Sequence, residues 1–335
     1  MPVLRPSGSD FTSFVKAAAQ YVPAGTTAKV TKSGGGMMIA PASLGAIARA
    51  SQMGAAASPT TSAVIINGVT PPAVVPAVPF NVKTSVAGVV LWLDGADPAA
   101  TGTIPSAGAT ISNWVDKSGK GYTATLFADA VSTAPTYVAN KSLQFTAPSL
   151  TGLRSPVPAQ TFSNGLSLFV VFTKTTGVNA NETLIVRTTV NTNGPAPFTM
   201  FGTFRSWGTE NNAFYYSTAP NISSYTTQTI LSITASTTLN WSENINGTNV
   251  GEYGPTNFAF NDGTPVWDDT GTFIYIGLMR DTGTRFTGQI SEILAYNSVL
   301  STPDRQKVEG YLAWKWGLQA NLPANHPYKS ATPTG

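Results

Sequence analysis

Between Leu166 and Thr173 the chain alternates, with Leu166, Leu168, Val170 and Phe172 on one side and Ser167, Phe169, Val171 and Thr173 on the other. A period of two is that of a strand, and the wholly apolar first face calls for a second sheet to cover it. Short β-branched and aromatic runs recur at Val89–Leu93, Ser142–Thr146, Thr183–Thr189, Phe198–Phe204, Ala213–Tyr216, Thr229–Ala235, Phe273–Met279 and Gly288–Tyr296. Gly, Pro and Asn punctuate them. The spacing predicts an all-β fold, a two-sheet antiparallel jelly-roll sandwich occupying residues 86–335.

The pattern changes to a helical one after Tyr296. Ser301 with Asp304 forms an S-x-x-D cap, Pro303 suits a first turn, and Val308, Tyr311, Leu312 and Trp316 share a face before Gly317. This predicts one C-terminal helix that seals the sandwich.

Residues 1–85 read differently. Ser9–Val22 predicts one short amphipathic helix through Phe11, Phe14, Val15 and Ala18, ending before Pro23. Residues 24–80 are dominated by Ala, Gly, Ser, Thr and Pro and predict an extended arm or linker, its last part a Pro-spaced polyproline II run over 71–79.

Composition narrows the classes of function. Only 10% of the 335 residues are charged, and 19 basic residues stand against 16 acidic ones without a like-charge run or an aromatic-basic stripe, so no nucleic-acid partner is expected. No apolar stretch is long enough to insert in a membrane, and the first residues lack the pattern of a secretory signal. With no cysteine, disulfides and thiolate metal sites are excluded.

Two stretches resemble the laminin-G-like jelly-roll family of the concanavalin A-like lectin/glucanase superfamily. They are Val89-VLWLDGADP with ISNWVDKSGKGYTAT, and the run from Phe286 through ILAYNSVLSTPDRQKVEGYLAWKWG to Tyr328. Independently of the family, Asp116 is placed to accept backbone N–H groups of the Ser118–Gly121 turn, and Trp92 and Trp114 supply bulky core surface. The resemblance implies an antiparallel jelly roll that binds glycans or proteins. In viral chains with an Ala/Gly/Pro-rich N-terminus it implies a minor capsid, cement, spike or fibre component.

The paired-carboxylate strand motif of retaining glycan-cleaving relatives, Glu-x-Asp-x-x-Glu, is absent, so no catalytic residues are assigned and the chain is expected not to be an enzyme. Trp207, Trp241 and Trp267, with Tyr215 and Tyr216, are the candidates for stacking on sugar rings, with core or rim packing as the alternative for each. Asp262, Asp268 and Asp269 form the densest acidic cluster; Ca²⁺ is the metal that suits them, and solvated loop aspartates are the alternative. Asp94 and Asp97 read as turn residues, and so does the single histidine, His326. Asn-x-Ser/Thr sequons begin at Asn140, Asn181, Asn221, Asn240 and Asn246.

The expected function is a virion structural protein held to other capsid subunits through residues 1–80. The alternative is a glycan-binding adhesin or receptor-binding module at a cell surface or outside the cell, and a weaker one is a glycan-cleaving enzyme.

Overall fold

In the computed structural model the described residues are 30–33, 36–39, 78–127, 132–146, 150–175, 183–188, 199–201, 205–206, 225–238, 240–253, 272–278 and 285–335. The chain divides into two compact units, Met1–Pro76 and Ala77–Gly335.

In the first unit β1 (Val30–Ser33) and β2 (Gly36–Ile39) pair antiparallel, Val30 opposite Ile39 and Ser33 opposite Gly36. Sequence predicts a linker here. The hairpin arises where Val30-Thr31 and Met37-Met38-Ile39 flank a glycine run that permits a tight reversal. The helix predicted over Ser9–Val22 lies outside the described residues.

The second unit opens with β3 (Val89–Asp94), β4 (Asn113–Trp114), β5 (Ala124–Leu126), β6 (Ser132–Thr133), β7 (Thr136–Val138), β8 (Ser142–Phe145), β9 (Leu150–Thr151) and β10 (Leu153–Ser155). There follow β11 (Leu166–Lys174), β12 (Thr183–Thr188), β13 (Thr199–Phe201), β14 (Arg205–Ser206), β15 (Thr229–Ala235), β16 (Trp241–Ile245), β17 (Thr248–Tyr253), β18 (Phe273–Ile276), β19 (Gly288–Tyr296) and the helix α1 (Thr302–Trp316).

One sheet runs β14-β13-β12-β18-β10-β5-β4 and the other β17-β16-β15-β11-β19-β8-β7, with β3 also paired to β19. All of these pairings are antiparallel; the short β6–β9 pair is parallel. The inner faces meet in one core that includes Leu168, Val170 and Phe172 of β11, Ile290 and Ile293 of β19, and Ile274 and Ile276 of β18. A β-bulge lets β19 present both Ile290 and Ile293 inward, because Val171 faces Glu292 while Phe172 faces Ile290, leaving Ser291 as the extra residue.

β11 is buried on both faces, which explains why its second face also carries Phe169 and Val171. Those two residues pack with Leu294, Tyr296 and Ile230 under Val308, Leu312 and Ala313 of α1. Each such side chain removed from water contributes about 1.5–3 kcal/mol. The helix begins as its sequence predicts: Ser301 Oγ accepts the Asp304 N–H and donates to Asp304 Oδ2 at 2.7 Å, and Gly317 ends it at φ +71°. Gly310 sits mid-helix despite its poor helix propensity because a Cβ there would meet Tyr328 Cβ at 2.5 Å.

The second unit starts ahead of Val86, the first residue that composition assigns to the sandwich. Phe80 stacks on Tyr311 at 5.1 Å, Val82 and Val86 are buried beside the helix, and Pro79 bridges Thr334. Among the described residues no helix is long and apolar enough to cross a membrane.

Candidate functional site

Two polar clusters hold α1 to the sheet beneath it. In the first, β3 and β19 place Asp94 opposite Glu292, both facing the helix. Glu292 is fully buried, and four groups donate to it: Trp92 Nε1 (2.8 Å) and Tyr311 OH (2.9 Å) to Oε1, Trp316 Nε1 (2.7 Å) and Lys315 Nζ (2.9 Å) to Oε2. Lys315 also pairs with Asp94 at 2.7 Å, and Lys117 pairs with Asp94 at 2.9 Å and Asp97 at 3.2 Å.

Burial disfavours the charged form of Asp94, but Lys315 and Lys117 outweigh it and hold its carboxyl below the usual range. Burial, reinforced by Asp94, pushes Glu292 up against the pull of Lys315 and Trp316. Burial lowers and the two aspartates raise the Lys117 ammonium, with a net rise. Tyr311 is pushed up, by burial first and then by Glu292. The cluster is a set of mutually paired charges in which Glu292 is closed to water while Lys117 and Lys315 stay partly exposed.

Asp94 and Asp97 also do the turn chemistry read from sequence. Asp94 Oδ1 accepts the Ala96 N–H, and Asp97 Oδ1 accepts those of Thr101 and Gly102. Asp116 accepts the backbone N–H groups of Trp92, Ser118 and Tyr122 and the Ser118 hydroxyl, tying the turn after β4 to β3. Trp114 is fully buried, as expected, whereas Trp92 is half-buried and belongs to the Glu292 cluster.

The second cluster centres on buried Glu309 of α1. It accepts from Ser232 Oγ at 2.5 Å and Arg305 Nη1 at 2.6 Å, and His326 Nε2 lies 3.3 Å away. His326 is a turn residue, its N–H donating to the Pro323 carbonyl at 3.0 Å, and its ring is buried against Glu309. The Tyr328 N–H donates to its Nδ1 at 3.2 Å, so Nε2 carries the proton that faces Glu309.

The outer face of the seven-stranded sheet carries a different chemistry. On β18 the inward residues are Ile274 and Ile276, so Phe273 and Tyr275 point outward. Arg154 of β10 pairs across the strands with both Tyr275 and Thr125. Its guanidinium lies 4.6 Å from the Phe273 ring centre and 5.2 Å from that of Phe127. Tyr275 packs edge-on to Phe127 at 5.4 Å, and Val186 and Leu278 complete the cluster.

Among the described residues no carboxylate pairs with Arg154, and no hydrogen bond satisfies the buried Tyr275 hydroxyl. Arg154, Phe127 and Phe273 are half-buried and Thr125 is exposed. Sequence reasoning misses this platform because β10 is three residues long, too short for alternation to register. The outward aromatics of Phe273-Ile-Tyr-Ile are its one visible signal.

Of the residues chosen from sequence, Trp241 lies on β16 at 5% exposure, with its ring in the sandwich core, the packing role rather than an open stacking plane. Trp207, Trp267, Tyr215, Tyr216, Asp262, Asp268 and Asp269 lie outside the described residues. Among the described residues no group of acidic, histidine or cysteine side chains is arranged to hold a metal ion.

Fold and site together define a class: a two-sheet antiparallel β-sandwich closed by a C-terminal helix, with a cationic and aromatic patch on the outer face of its seven-stranded sheet. No protein-family model matches the sequence, and no curated protein matches it. Among solved structures the chain is similar to Trypanosoma rangeli sialidase, at 16% identity and TM-score 0.46 over 69% of this chain and 33% of that one. It is similar to the same sialidase bound to a difluoro-KDN compound, at 16% identity and TM-score 0.48 over 72% and 36%. It is also similar to the binding domain of botulinum neurotoxin DC in complex with rat synaptotagmin II, at 12% identity and TM-score 0.46 over 67% and 52%. The chain thus spans about a third of the sialidase and about half of the neurotoxin binding domain.

Proposed function

We infer that the sandwich is a non-catalytic glycan-binding module whose binding surface is the outer face of the seven-stranded sheet. The observation that carries this reading is Arg154, a cation packed over the Phe127 and Phe273 rings with no carboxylate partner among the described residues. Phenyl faces stack on the C–H faces of sugar rings, and the edge of a guanidinium donates hydrogen bonds to sugar oxygens. The outer face of the other sheet is covered by α1.

Among the described residues Asp94 and Glu292 come nearest to catalytic chemistry, with two carboxylates on adjacent strands pushed in opposite directions, the pattern of an acid and a base. Lys315 sits between them, and Glu292 is closed to substrate beneath Trp92, Tyr311 and Trp316. A glycosidase needs its pair open to the scissile bond. This supports a binding role over a cleaving one.

The laminin-G-like resemblance of the two terminal stretches of the sandwich is in keeping with that role. Anchoring to virion subunits through residues 1–80 concerns a stretch in which the β1–β2 hairpin and residues 78–80 are described.

The test is retention on a glycan array with release of reducing ends assayed in parallel. The intact chain is expected to retain a subset of glycans without cleaving them, and Arg154→Ala to lose that retention while keeping its melting temperature. Retention unchanged in Arg154→Ala would place the site elsewhere, with Trp207→Ala and Trp267→Ala as the next variants. Released reducing ends would overturn the non-catalytic reading.

A further inference from the structure

We propose that the Arg154 platform selects carbohydrates that bear a carboxylate, with Arg154 as the partner of the acid group and the Tyr275 hydroxyl as a second donor. This rests on the glycan-binding reading above and narrows it to a ligand class.

Two independent features point to an anionic acceptor. The first is a half-buried guanidinium packed over the Phe127 and Phe273 rings, 5.2 and 4.6 Å from their centres, with no carboxylate partner among the described residues. A planar fork of donors matches the two oxygens of a carboxylate better than a single hydroxyl. The second is Tyr275, directly opposite Arg154 in the sheet, whose ring touches both of the same phenylalanines. Its hydroxyl is buried without a hydrogen-bond partner among the described residues.

A buried hydroxyl left unpaired costs about 1–3 kcal/mol, and a ligand oxygen that accepts from it recovers that cost on binding. A neutral sugar satisfies the hydroxyl and leaves the guanidinium uncompensated in a half-buried setting. An acidic sugar satisfies both. Thr125, exposed on the other side of Arg154, extends the polar row along which a sugar ring lies.

The experiment uses the intact chain on immobilised polygalacturonate and hyaluronate, each beside the same polymer with its carboxyls reduced to primary alcohols. Binding to the acidic forms is expected to be tighter by about tenfold or more, the size of one charge-assisted pair. Arg154→Ala is expected to abolish that preference. Arg154→Lys keeps the charge but not the fork, and should lose most of it. Tyr275→Phe preserves the ring packing and should weaken binding to the acidic polymers several-fold, with a melting temperature equal to or above the parent's because an unpaired buried hydroxyl is removed.

Equal binding to acidic and reduced polymers, or an undiminished preference in Arg154→Ala, overturns the carboxylate assignment and leaves glycan binding standing. Absence of retention on these polymers and on every glycan of the array overturns both. If Arg154→Ala changes only the melting temperature, the cation packs the chain itself and the platform is structural.

Discussion

Asp94 and Glu292 have carboxyls on neighbouring strands, share one ammonium and are driven apart in acidity. Asp94 titrates below the ordinary aspartate value when folded, because Lys315 and Lys117 outweigh its burial. The stability it confers is complete above that ordinary value and is lost as pH falls through the folded value. Glu292 runs the other way: burial raises it, so its ionisation weakens the fold as pH climbs through its titration, and Lys315 limits the loss. Asp94→Asn is therefore expected to cost about 2 kcal/mol at neutral pH and to flatten the fall in melting temperature below about pH 4. An acid limb as steep as that of the parent would show that other carboxylates govern it. Sequence identifies Asp94 as a turn residue, and its bond to the Ala96 N–H agrees. The ion pairs with Lys117 and Lys315 are not legible there, since pairing across β3, β19 and α1 depends on a sheet register that local pattern does not contain.

Single elements show the same division. β11, β15 and β19 are legible because their alternation is long and their residues β-branched or aromatic. The β16–β17 hairpin is missed because Trp-Ser-Glu-Asn-Ile and Thr-Asn-Val-Gly-Glu-Tyr are mostly polar, although Asn246-Gly247 between them is a strong turn signal. Asn246 takes φ +49° and Gly247 φ +77°, and the Asn246 carbonyl oxygen of the side chain accepts the Ile230 N–H at 2.9 Å. A Cβ on Gly247 would adopt a left-handed conformation and meet the His326 ring at 2.9 Å. Gly247→Ala should thus lower stability by about 1–2 kcal/mol, measured by urea denaturation. An unchanged midpoint would mean that the His326 segment yields freely.

At the scale of the molecule, the sandwich presents two unlike faces. The eight-stranded sheet is sealed by α1 and by residues 80–89, and its polar groups are turned on one another. The seven-stranded sheet carries on its outer face a half-buried cation and aromatic rings, with no carboxylate paired to that cation among the described residues. Fold class, the C-terminal helix and the Asp116 turn follow from the amino-acid pattern. The platform does not, because it joins β5, β10 and β18, three short strands brought together only by tertiary pairing. Hydrogen exchange measured with and without a retained oligosaccharide tests the placement of function on that face most directly. Protection is expected in peptides covering residues 124–127, 153–155 and 273–278, with residues 302–316 unchanged. Protection confined to the helix-covered side, with none on these three strands, would contradict the account.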